Sequence, residues 1–132
     1  MKGLDTNVLL RYFVADDSSQ AVRAARFIKN NCTRETPGFI NRIVLCELVW
    51  VLESAYGYAR AEIVRLLEMM LRTAEFTVED QAAAWAAVRH FAAGRCDFAD
   101  ALLALTNERA GCGSTVTFDR KATALAQFEP LK

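Results

Sequence analysis

Apolar positions alternate between short continuous runs and helical spacing along this chain. Lys2-Gly-Leu-Asp reads as a very short first strand ending at Asp5, and Asn7 to Val14 is apolar enough for a helix. Asp17, with Gln20 three residues on, has capping-box spacing and predicts a helix start. The helix it opens, Ser18 to Asn30, puts Ala21, Ala24, Ala25 and Ile28 on one face. Pro37-Gly38 breaks the chain before a short strand at Phe39-Ile40. Arg42 to Ser54 is strongly apolar and of helical length, with Gly57 as its stop. Ala61 to Arg72 repeats Ile63, Leu66, Leu67, Met70 and Leu71 at helical spacing, and Phe76 to Val78 predicts a strand. Two further helices, Asp80 to Ala93 and Phe98 to Ala110, are closed by Gly94 and Gly111. Ser114 to Phe118 is β-branched and predicts a buried strand, with helix resuming from Lys121 to Gln127. Short strands alternating with helices imply parallel strands joined by crossovers. The pattern predicts one α/β domain over residues 1–132, a parallel β-sheet sandwiched between α-helices. Ligand sites in such sheets gather at the carboxyl ends of the strands.

Composition supports that architecture. The chain has 132 residues, 53% of them hydrophobic and 24% charged, and a domain of that length buries roughly two-thirds of the surface its unfolded chain exposes. Asp5 and Asn7 interrupt the start, and no apolar run approaches membrane-spanning length, which predicts a soluble cytoplasmic protein. Cys32, Cys46, Cys96 and Cys112 form no Cys-x-x-Cys pair, and the single histidine, His90, stands near none of them in sequence. Reduced, mostly buried thiols are expected rather than a zinc site. Net charge is zero, which argues against uniform attraction to nucleic acid. The charge is unevenly spread. From Arg23 to Arg42 there are five basic residues with only Glu35 against them, which is either a solvated helix face or a basic flank beside an acidic site.

The acids change the picture most. Asp5 ends the first strand and Asp119 follows the last, so both are expected at the carboxyl edge of the sheet. Glu47 sits inside Ile43-Val-Leu-Cys-Glu-Leu-Val-Trp-Val-Leu52 with no Lys or Arg in that run. Burying an unpaired carboxylate costs several kcal/mol or forces it to take up a proton. Either Glu47 is such a buried acid, or it lies on the one wet stripe of an amphipathic helix. Asp97 and Asp100 open a helix three residues apart and can share a face, Asp97 alternatively serving as the N-cap. Carboxylates brought together repel, so such a cluster demands a cation. All-oxygen ligands select Mg²⁺, with Mn²⁺ as a substitute, rather than zinc. Magnesium held by few carboxylates keeps waters suited to phosphate chemistry.

Four blocks of sequence resemble the motifs of PIN-domain ribonucleases. They are Leu-Asp-Thr-Asn-Val-Leu-Leu at residues 4–10, Glu47 in Cys-Glu-Leu-Val-Trp-Val-Leu, Asp97-Phe-Ala-Asp-Ala-Leu-Leu, and Thr115-Val-Thr-Phe-Asp119. They stand in order, and length and style resemble the VapC-type toxins of bacterial toxin–antitoxin pairs. The resemblance implies a PIN-like fold and metal-dependent endonucleolytic cleavage of RNA. It makes Asp5, Glu47, Asp100 and Asp119 the catalytic metal-site acids, with Asp97 as a further ligand. Thr6, Asn7 and Thr117 match the polar residues that support them. It also implies a cognate antitoxin, which would reach the acids with an Arg across a surface near Tyr12, Phe13, Trp50 and Tyr56, and a homodimer. Arg11, Arg42, Arg95 and Arg120 are candidates for holding the RNA backbone.

Two other classes fail on particular residues. A receiver domain needs an acidic pair at the end of the first strand, whereas Asp16-Asp17 lies beyond the first helix. A haloacid-dehalogenase phosphatase needs Asp-x-Asp there, and Asn7 removes its general acid. The non-enzyme alternative is a catalytically silent PIN-like module whose acidic cleft only binds a partner protein.

Overall fold

The computed structural model describes residues 1–14 and 18–132. The chain is α/β, as the alternating pattern predicts, and it forms two compact units, Met1–Glu79 and Asp80–Lys132.

In the first unit, β1 (Lys2–Gly3), β2 (Gly38–Ile40) and β3 (Phe76–Val78) make a three-stranded parallel sheet in sequential order. Lys2 pairs with Gly38, and Gly38 in turn with Phe76. Helices α1 (Thr6–Phe13) and α2 (Ser19–Asn31) form the first crossover, and α3 (Arg42–Ser54) and α4 (Arg60–Arg72) the second. Parallel strands require crossovers of this length, since a tight turn cannot bring the chain back to the same end. The core is aliphatic: Leu9, Ile40, Leu45, Leu48, Leu52, Ile63, Leu67 and Met70 are fully buried. Gly38 is tightly packed. A Cβ there would stand 2.6 Å from Leu4 Cδ1 and 3.0 Å from Cys32 Sγ.

Ser18 caps α2, its hydroxyl accepting from the Ala21 amide at 3.1 Å, while Asp17, the cap expected from spacing, lies outside the described residues. On α2, Ala21, Ala24 and Ile28 are buried as expected, and Ala25 is exposed.

The second unit holds α5 (Gln81–Ala92), α6 (Phe98–Arg109), β4 (Thr115–Thr117) and β5 (Phe128–Pro130), the two strands paired in parallel. Gly94 and Gly111 follow the two helices with φ of 73° and 102°, the left-handed backbone that glycine adopts without strain. Asp80 caps α5 with its carboxylate on the Ala83 amide and receives the Arg109 guanidinium on its other oxygen.

Two expectations fail here. The strand at Thr115–Thr117 is not buried: Val116 is exposed and Phe118 is 85% exposed. β-Branched composition registers strand propensity, not cover on both faces. The expected helix from Lys121 to Gln127 shrinks to one 3-10 turn, Ala122–Ala124, and the chain then turns extended at Leu125 and enters β5. Pro130 cannot donate to a ladder, and β5 is a sheet-edge strand that tolerates it. Among the described residues no helix is long and apolar enough to cross a membrane.

Candidate active site

The carboxyl ends of parallel strands converge on one edge of a sheet. In the first unit that edge carries Asp5 after β1, Asn41 after β2 and Glu79 after β3. Asp5 is the N-cap of α1, its Oδ1 accepting from the Thr6 amide at 2.8 Å, and a carboxylate at a helix N-terminus is favoured by the helix dipole. Thr6 is 7% exposed and its hydroxyl donates to Glu47 Oε1 at 3.0 Å. This bond joins the start of α1 to the second turn of α3, and it places the Glu47 carboxylate one residue from Asp5.

Glu47 is not the buried unpaired acid that its apolar surroundings suggested; it is exposed. The wet stripe of α3 runs through Ile43, Glu47 and Trp50, and Ile43 and Trp50 are 71% and 68% exposed. Apolar residues occupy the solvent face, so the stripe was invisible in the sequence. Asn7 is exposed beside Asp5, in a cavity between α1 and α2.

Arg42, a candidate for RNA contact, is instead tied to Glu79, with backbone amide to Oε1 at 3.1 Å and guanidinium to Oε1 at 3.5 Å. Glu79 was not singled out from sequence, although its place just after a strand was a signal. Trp50 and Tyr56 are exposed, whereas Tyr12 and Phe13 are half-buried and stack edge-on or tilted with Phe76.

In the second unit, Asp97 holds the N-cap position of α6 but makes no capping hydrogen bond, which leaves its carboxylate available. Asp100 lies in the first turn of the same helix and is half-buried. Burial, and then the like charges of Asp97 and Asp119, hold its carboxyl above the ordinary aspartate value. Asp119 follows β4 in a tight polar turn: its amide donates to Thr117 Oγ1 at 3.0 Å, and its Oδ1 accepts from the Lys121 amide at 2.9 Å. Thr117 therefore supports the backbone of Asp119 rather than its carboxylate. Arg95 and Arg120 are exposed, Arg95 lying 3.2 Å from His90 Nδ1.

Among the described residues, no three His, Cys, Asp or Glu side chains lie close enough together to form a ready-made cation cage. The donor chemistry of the acids still suits a hard cation. Every candidate is a carboxylate, and Asp100 bears the like-charge pressure that a cation relieves. The cysteines are free, as expected, but only Cys32 is buried; Cys46 and Cys96 are half-buried and Cys112 is exposed.

A parallel α/β chain with acids following its strands and opening its helices defines a class of carboxylate-bearing α/β proteins. The chain matches the PIN domain family over residues 3–127, and it belongs to that family. It is similar to a VapC ribonuclease of Aquifex aeolicus (strain VF5), with 27% identity over 121 residues that cover 92% of this chain and 89% of the relative. No solved structure matches the chain.

Proposed function

We propose that this chain is a divalent-metal-dependent endoribonuclease, the toxin of a type II toxin–antitoxin pair. The observation that carries the reading is the Thr6–Glu47 hydrogen bond, which fixes the second acid one residue from the first. Family membership and similarity to a VapC ribonuclease support RNA as substrate. Asp5, Glu47, Asp100 and Asp119 are the acids assigned to Mg²⁺ or Mn²⁺, with Asp97 as a further ligand or neighbour.

Such an ion, when bound, supplies Lewis-acid activation of water and neutralises charge on the scissile phosphate. The chain's own residues prepare the acids. Thr6 orients Glu47, the Thr6 amide at the α1 N-terminus holds Asp5 Oδ1, and the turn at Thr117 and Lys121 sets the Asp119 carboxylate. With water activated by the ion, no side-chain nucleophile is needed, and the reading takes water as the attacking group. A cognate antitoxin that covers the acids, a homodimer and a cytoplasmic site of action follow from the same reading.

Thermal melting with and without Mn²⁺ tests the assignment. A hundredfold excess over Kd stabilises a one-site protein by roughly 2.7 kcal/mol. The parent is expected to gain Tm with Mn²⁺, and Glu47→Gln and Asp119→Asn to lose most of the gain. A shift retained in full by both variants removes these acids from the site.

A further inference from the structure

A cavity of about 540 Å³ opens between α1 and α2 and is lined in part by Asp5, Val8, Arg11, Gln20, Arg23 and Phe27. That volume lies within the range of pockets that accept small ligands or parts of larger ones. Its wall is chemically mixed in a particular way. Arg11 and Arg23 are its cations, and α2 carries Arg26 and Lys29 outside the lining and no acid across Ser19–Asn31. Phe27, four residues from Arg23 on the same helix and 37% exposed, also lines the cavity. Asp5 is among the lining residues, so whatever fills the cavity lies beside the proposed catalytic acid.

Cations interleaved with an exposed aromatic ring are the recurring means by which proteins hold single-stranded nucleic acid. The guanidinium takes phosphate, and the ring stacks on a base whose π-face is free. A duplex offers no such face. The zero net charge of the chain does not oppose this, because α2 carries three cations and no acid.

We propose that the α1–α2 cavity is a nucleotide subsite for single-stranded RNA. In it Arg23 binds a backbone phosphate, Phe27 stacks on the adjoining base and Gln20 offers that base a hydrogen bond, so that the strand is led to Asp5. The inference rests on RNA being the substrate, and it adds the place where the strand beside the cut is gripped.

The test is binding, measured without cleavage. Fluorescence anisotropy of a labelled single-stranded oligoribonucleotide is followed in EDTA at low salt, for the parent and for Arg23→Gln, Phe27→Ala and Phe27→Trp. Arg65→Gln, at an exposed cation of α4, is the control. Phe27→Ala is expected to weaken binding about fivefold or more, as loss of one stacked base does, and Phe27→Trp to restore it. Arg23→Gln is expected to weaken binding and to make the slope of log K against log salt shallower by about 0.7, the value for one phosphate of a single strand. Phe27→Ala leaves that slope unchanged.

Parent-like binding by both variants overturns the proposal and assigns the cavity to something other than RNA, a protein segment included. An equal loss in Arg65→Gln, or no binding by the parent, overturns it too. If the oligonucleotide binds through Arg23 and Phe27 but is never cut with Mg²⁺, the nuclease reading fails while the subsite stands. If RNA is cut and neither variant binds it less well, the subsite alone fails.

Discussion

Thr6→Val isolates the bond that organises the first half of the proposed site. Valine replaces the hydroxyl with a methyl of nearly equal volume, so no cavity accompanies the loss. The bond removed is 3.0 Å long, from a 7%-exposed hydroxyl to a carboxylate. Hydrogen bonds to charged groups contribute about 1.5–3 kcal/mol. Glu47 is exposed, so its freed oxygen is rehydrated, and the net cost falls to about 1 kcal/mol. A chain of 132 residues has an unfolding entropy near ~2.1 cal/mol/K per residue, which converts that cost to a Tm lowered by about 3–5 °C. Cleavage should fall further than stability suggests, by about tenfold, because a catalytic carboxylate without its anchor samples unproductive positions. Thr6→Ser, which keeps the hydroxyl, should recover most of both. The assay is thermal melting and RNA cleavage for Thr6→Val, Glu47→Ala and the double variant. A coupling near 1 kcal/mol is expected from the cycle. If Thr6→Val costs as much in the Glu47→Ala background as in the parent, the bond carries neither effect and the reasoning is wrong.

Two other substitutions probe different terms. In metal-free protein Asp100→Asn removes a charge that burial, Asp97 and Asp119 disfavour, so at neutral pH it should melt at or above the parent, by ~1 kcal/mol for a close like-charged pair. Because the folded-state value of Asp100 is raised, the folded chain binds its proton more tightly than the unfolded chain. The parent should therefore gain stability as pH falls from neutral through that raised value, and the variant should lack the gain, as melting in EDTA across pH would show. Gly38→Ala places a methyl 2.6 Å from Leu4 Cδ1 inside a packed sheet and should cost about 1–3 kcal/mol, read as a lowered denaturation midpoint; a parent-like midpoint would mean that the strand shifts freely.

Much of the fold was legible because its signals are local. The helix at Arg42–Ser54 and the strand at Phe76–Val78 match their predicted bounds, since apolar spacing and flanking breakers fall together there. The chain end was not legible. A single 3-10 turn and a three-residue strand ending at Pro130 are set by pairing with β4, a non-local contact that no window of sequence contains. Asp5 and Asp119 were legible as residues that follow strands, a position that topology alone gives meaning. Glu47 was picked out for the wrong physical reason. Its apolar neighbours implied burial, yet Ile43 and Trp50 share its exposed stripe. Of the basic run from Arg23 to Arg42, only Arg23 lines the cavity between α1 and α2, and nothing in the sequence marked that cavity. The buried face of α2 was legible from Ala21, Ala24 and Ile28, but no local signal singled out Phe27 beside it.

The central claim is that carboxylates, through a divalent ion, cut RNA. The most direct measurement is the fragmentation of total RNA by the purified chain in Mg²⁺, with the new ends mapped, beside the same protein in excess EDTA and an Asp5→Asn variant shown by its melting curve to be folded. The account predicts discrete internal cuts in Mg²⁺ and their loss by orders of magnitude in the other two samples. Undiminished cutting in EDTA, or by folded Asp5→Asn, contradicts it.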